Sequence, residues 1–139
     1  MIRRRNKQKP SRRGAAVVEF AAIAPLMMLF TFGLVELGRM MLVKQTATHA
    51  TREGARIAIR PTATTDEVLQ RVNQELALMA VTNAQVETVP ASIENAAPGG
   101  EVMVRVRLDP QANSWVPGFF NWAIPEMVVE TSMRRESTN

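Results

Sequence analysis

The 139-residue sequence has no cysteine and one histidine, His49. Without cysteine there is no disulfide framework, no thiolate nucleophile and no zinc-type sulfur site. With one imidazole, a metal centre would need oxygen ligands almost throughout, and no cluster of carboxylates suggests one. No glycine-rich phosphate loop follows a strand pattern. His49 sits on its helix with Thr46, Thr48 and Glu53 nearby, the surroundings of a surface histidine. No nucleophile–base pair emerges, and neither an enzyme nor a cofactor is expected.

The net charge is +4, but the first 13 residues hold seven cations and no acid: Arg3, Arg4, Arg5, Lys7, Lys9, Arg12 and Arg13. The remainder carries 10 cations against 13 acids. The basic character therefore belongs to a leader. Nucleic-acid binding is not expected, because a DNA reader presents its cations on a folded module.

What the sequence does have is a long apolar run. Phe20 to Val35 (FAAIAPLMMLFTFGLV) is sixteen residues without a charge, and Ala15 to Val18 extend it beyond Glu19. Sixteen helical residues rise about 24 Å, slightly less than the roughly 30 Å of a hydrocarbon core. Glu19 or Glu36 must then lie near the boundary or be paired. A buried core helix is the competing reading, but a small domain rarely covers one on all sides. The seven cations on the N-side, against Arg39, Lys44 and Glu36 on the other, place the N-terminus in the cytoplasm. Ordinary signal-peptide cleavage after Ala22-Ile23-Ala24 fits poorly, since Pro25 would follow the cut and most of the apolar run lies beyond it. Ser11-Arg12-Arg13 lacks the apolar continuation of a twin-arginine signal.

Glu19 is the telling residue. A carboxylate in such a run costs several kcal/mol unless it is paired or at the interface. It lies four residues after Ala15, on the same helix face. Cleavage between Gly14 and Ala15 would create an α-amino group, largely protonated at neutral pH, for Glu19 to pair with in its own chain or a neighbour.

Arg13-Gly14, the four apolar residues Ala15-Ala16-Val17-Val18 and then Glu19-Phe20 resemble the processing site of Tad/Flp-type prepilins. In that family a prepilin peptidase cuts after the glycine, and the glutamate is followed by an aromatic, usually tyrosine and here Phe20. Pro25, Gly33-Leu34-Val35-Glu36-Leu37-Gly38-Arg39 and Thr51-Arg52-Glu53-Gly54-Ala55-Arg56 are similar to the N-terminal helix of TadE-like members, and Val128 to Arg134 to their final strand. The resemblance implies a minor pilin or pseudopilin of the bacterial inner membrane that supports pilus biogenesis and adhesion. It implies as partners the prepilin peptidase, other pilin and pseudopilin subunits, the inner-membrane assembly platform and membrane lipid. The alternative is an uncleaved single-pass anchor carrying a small extracytoplasmic binding or sensory domain.

The expected organisation is a basic leader over 1–14, a transmembrane and assembly helix over 15–60 and, over 61–139, a small α+β domain of one helix on a short antiparallel sheet. Pro25 should kink the helix or remove one hydrogen bond, and Pro61 should end it. Ala47, Ala50, Gly54 and Ala58 form a stripe of small residues of the kind that lets helices of a bundle approach closely. Thr64-x-x-Glu67 reads as a capping box opening a second helix, with Val68, Leu69, Val72, Leu76 and Met79 on one face. Strands are expected over 85–89, 101–108 and 126–135, with a turn at Pro98-Gly99-Gly100. Trp115, Phe119, Phe120 and Trp122 cluster among prolines. They either cover the sheet or offer a contact surface to a partner.

Overall fold

The structure is a computed structural model and describes residues 12–114 and 125–137. It is α+β: helix α1 (Arg12–Ala58), helix α2 (Thr65–Leu78), and strands β1 (Ala84–Val89), β2 (Glu101–Leu108) and β3 (Met127–Arg134). The strands form one antiparallel sheet in the order β1-β2-β3. The chain divides into two compact units between Val35 and Glu36. In the first, α1 runs through Pro25 as helix and exposes apolar side chains all round.

In the second unit the period-two pattern does what it implies. Val102, Val104, Val106 and Leu108 are buried. Across the ladder they face Met133, Thr131, Val129 and Met127 on β3, while Val106 and Leu108 face Val86 and Ala84 on β1. This inner face packs with Ala47, Ala50, Ala55 and Ala58 of α1 and Val68, Val72 and Leu76 of α2 in one core. Two helical stretches therefore cover the sheet, where the sequence suggested one. The outer face is polar: Arg105 lies 3.0 Å from Glu130 and 3.9 Å from Glu87, and these three residues stand side by side on the three strands.

The small-residue stripe is spent inside the chain. Ala47, Ala50 and Ala58 are fully buried in the core. A Cβ on Gly54 would sit 2.4 Å from Val72 Cγ2 and 3.4 Å from Val104 Cγ1. The close approach is thus made to α2 and β2 of the same subunit. Polar links reinforce it: Thr131 Oγ1 donates to Thr51 Oγ1 at 3.0 Å, and Thr51 Oγ1 donates to the Thr48 carbonyl at 3.0 Å.

Helix α2 begins as its sequence directs. The Thr64 hydroxyl accepts from Glu67 N–H at 3.2 Å, while the Glu67 carboxylate faces Arg60 at 3.5 Å. A further first-turn donor, Thr65 N–H, is taken by Glu94 from the β1–β2 connection at 2.7 Å, and Thr65 Oγ1 donates to the other Glu94 oxygen at 2.9 Å. First-turn N–H groups have no partner within a helix, so a carboxylate there satisfies donors and meets the positive end of the dipole. Hydrogen bonds from the Thr65 backbone, from Glu94's own amide and from the Ser92 and Thr65 hydroxyls lower the Glu94 pKa from 4.5 to about 2. As pH falls from about 4.5 toward about 2, the unfolded chain takes up a proton that the folded chain refuses, so the stability Glu94 contributes drains away over that window. Urea midpoints measured across it are expected to fall in the natural chain. Glu94→Gln should start lower at neutral pH and lose this part of the pH dependence.

The end of α2 departs from the sequence rules. Val81 N–H donates to the Leu76 carbonyl at 3.1 Å and Ala80 N–H to the Ala77 carbonyl at 3.0 Å, a Schellman turn. Buried Leu76 and Val81 supply its apolar contact. The position that must take positive φ is Ala80, at 51°, where glycine is the usual occupant. Relief of about 1–2 kcal/mol of left-handed strain outweighs the gain in unfolded-state entropy that glycine brings. Ala80→Gly is expected to stabilise the chain by about 0.5–1 kcal/mol, read as a higher urea midpoint at unchanged slope.

Candidate functional site: the exposed N-terminal helix

Within the first unit, Val17, Val18 and Phe20 are about 70% exposed, and Leu26, Met27, Met28, Phe30, Phe32 and Leu34 are all more than half exposed. The most apolar 18-residue window of α1 has a mean hydropathy of 2.0, and none of it is buried. That excludes the core-helix reading, since a core helix hides its apolar surface. A helix apolar on every side has its hydrophobic partner elsewhere, in lipid or in other helices.

Glu19 is the one charge between Gly14 and Val35. It is exposed, one turn from Ala15 on the same helix. Gly14 is the third residue of α1, and nothing lies within 4 Å of where its Cβ would be. Phe20 is 72% exposed. Pro25 and Val35 lie on the same exposed stretch. Residues 1–11 of the basic leader, and Trp115, Phe119, Phe120 and Trp122, lie outside the described residues.

The residues after Val35 have a different occupation. Glu36 is 2% exposed, within the second unit rather than on an open helix surface. Arg39 Nε donates to the Asn113 carbonyl at 2.9 Å. Asn113 is itself buried, its amide bridging the Thr82 and Asp109 carbonyls at 2.9 and 3.0 Å while Thr82 N–H donates to its Oδ1 at 2.9 Å. The polar residues of the Gly33–Arg39 segment thus serve the fold of the small domain. Sequence reasoning left Glu36 near the membrane boundary or paired; the structure buries it within the second unit.

Taken together, the features define a protein with one N-terminal helix of membrane-anchor character and a small α+β domain that recruits the continuation of that helix into its core. Residues 14–56, all of them within α1, match the family model described as TadE-like protein, so this helix carries a TadE-like segment. No curated protein and no solved structure matches it.

Proposed function

We propose that the chain is a minor pilin or pseudopilin of a Tad-type pilus system, a structural subunit rather than an enzyme. The observation that carries this reading is the exposed apolar stretch of α1 between Gly14 and Val35, whose one charge, Glu19, sits one turn after the Gly14–Ala15 bond. The helix inserts in the inner membrane with the basic leader in the cytoplasm. A prepilin peptidase cuts after Gly14, and the new Ala15 amine pairs with Glu19 of a neighbouring subunit, fixing their axial register. An unmatched buried charge costs roughly 3–5 kcal/mol, so misregistered neighbours are rejected. Its partners are the peptidase, other pilin and pseudopilin subunits and the inner-membrane assembly platform, and the assembled filament serves adhesion.

The test is the intact mass of the membrane-extracted chain, from cells that hold the peptidase. A chain starting at Ala15 is expected, and Gly14→Lys should abolish that start. A chain starting at Met1 would leave an uncleaved anchor, for which Glu19→Ala is silent. A start at Pro25 or later would mean ordinary export and would retire the assembly mechanism.

A further inference from the structure

Among the described residues, β3 pairs only with β2, and the sheet ends there. Natural sheet edges are protected by lysine, proline, a bulge or shortness. β3 has none of these: MVVETSMR runs for eight residues in unbroken register. The opposite edge, β1, has six residues and is followed directly by Pro90. Met127, Val129 and Met133 on the inner face of β3 are only partly buried, whereas Val102, Val104 and Val106 of β2 are fully covered. The core is thus left incomplete along one side.

The ladder fixes which main-chain groups point outward. Arg135 N–H donates to the Gly100 carbonyl at 2.8 Å, one step beyond the Glu101–Arg134 pair. Hydrogen-bonded and non-hydrogen-bonded pairs alternate along an antiparallel ladder. Met127, Val129, Thr131 and Met133 therefore turn their N–H and carbonyl groups to β2. Val128, Glu130, Ser132 and Arg134 turn theirs away from it. Glu136 continues the outward series, and its N–H donates to the Ile59 carbonyl at 2.9 Å, which closes this end of the edge.

This edge is complementary to itself. Two copies aligned antiparallel must set outward residues against outward residues. Centred on Glu130, the pairing would put two carboxylates directly opposite, which is unfavourable. Centred on Ser132, it would bring Val128 of one copy to Glu136 of the other, where Ile59 already sits. Centred on Thr131, it meets neither obstacle. On the inner side Val129 then faces Met133 of the second copy, and the two Thr131 residues face each other. On the outer side Glu130 faces Ser132, and Arg134 of one copy comes diagonally to Glu130 of the other. Arg134 is exposed and forms no ion pair among the described residues, so the second copy supplies its carboxylate.

We propose that two copies of the chain pair antiparallel through the outer edges of β3, centred on Thr131, and join their sheets into one. The contact is isologous, so it closes on itself as a dimer and does not propagate. Main-chain hydrogen bonds supply the attraction and the side-chain pattern sets the register. The pairing is made wholly within the second unit and does not depend on the reading of α1.

The absence of cysteine makes cross-linking direct. Full-length Glu130→Cys and Ser132→Cys, both on the exposed outer face, carry different affinity tags. They are mixed in detergent and oxidised with copper phenanthroline. The mixed 130–132 disulfide is expected to prevail over both self-disulfides. A prevailing 130–130 or 132–132 disulfide would overturn the register, and the absence of all three would overturn the pairing. Ser132→Pro provides the second measurement. Its N–H points away from β2, so proline removes no bond within the sheet and blocks the partner strand. Light scattering in detergent should give a dimer for the natural chain and a monomer for Ser132→Pro at the same concentration, with the same far-ultraviolet dichroism. A dimer that survives Ser132→Pro would place the association on another surface, and a monomeric natural chain would leave the edge to something other than a second copy. Either result overturns the proposal, and the disulfide pattern decides it if Ser132→Pro does not fold.

Discussion

Arg135→Ala is expected to destabilise the small domain by about 3–5 kcal/mol. Arg135 follows β3 and is 7% exposed. Its Nη1 donates to the Ile93 and Ala96 carbonyls at 2.5 and 2.6 Å, and its Nη2 to the Pro61 carbonyl at 2.8 Å. Its own N–H donates to the Gly100 carbonyl at 2.8 Å. One guanidinium thus joins the α1–α2 connection to the β1–β2 connection beneath the end of the sheet. Charge-assisted hydrogen bonds contribute about 1.5–3 kcal/mol each, and a carbonyl left buried without a donor costs about 1–3 kcal/mol. The contributions do not add fully, because water can reach part of the emptied site. Lysine does not replace the fork geometry, so Arg135→Lys should recover only part of the loss. The check is amide exchange of β2 in the detergent-solubilised chain, expected to accelerate about 10²- to 10⁴-fold in Arg135→Ala. Unchanged exchange would mean that these carbonyls are satisfied without the guanidinium.

The second large effect is expected at Gly54. Alanine there would gain roughly 1 kcal/mol of helix propensity. Its Cβ would also be forced against Val72 Cγ2, 2.4 Å away. Val72 is fully buried and β-branched on a helix, so its χ1 has little freedom to yield. Overpacking of about 1–3 kcal/mol therefore outweighs the propensity gain, and Gly54→Ala should be a net loss. Gly54→Leu should cost about 3 kcal/mol or more, since four carbons enter a space with no room for one. Val72→Ala removes the obstructing methyl. The double variant Gly54→Ala/Val72→Ala should be more stable than the sum of the single losses by at least about 1 kcal/mol. Simple additivity in urea unfolding would show that the two side chains do not compete for the same space.

These two sites mark where the sequence was legible and where it was not. Period-two alternation located β2 to the residue and β3 within one residue at each end, and the Thr64 cap placed the start of α2. Each of these signals is local, carried by side chains next to one another in the chain. The small-residue stripe was read correctly as a place of close approach, but smallness does not say which helix approaches. Here it is α2 and β2 of the same subunit. Arg135 was invisible as a clamp because its partners are backbone carbonyls, which leave no mark on residue identity. The Glu94 cap was hidden for a related reason: it reaches α2 from 29 residues away. Ala80 occupies a position where glycine would have announced the turn. At the candidate site, Gly14, Glu19 and Phe20 stood out in the sequence because a charge inside an apolar run needs a reason. Their structure adds that the surface around them is open.

The hydroxyl pair joining β3 to α1 constrains how this sequence can drift. Thr131 donates to Thr51, and Thr51 donates to the Thr48 carbonyl. Losing the Thr131 hydroxyl leaves buried Thr51 still donating, whereas losing the Thr51 hydroxyl strands that of half-buried Thr131. The two sites, 80 residues apart, are therefore open to change in one order only, Thr131 before or together with Thr51. A lineage that lost the Thr51 hydroxyl first would be under pressure to restore it or to discard the second.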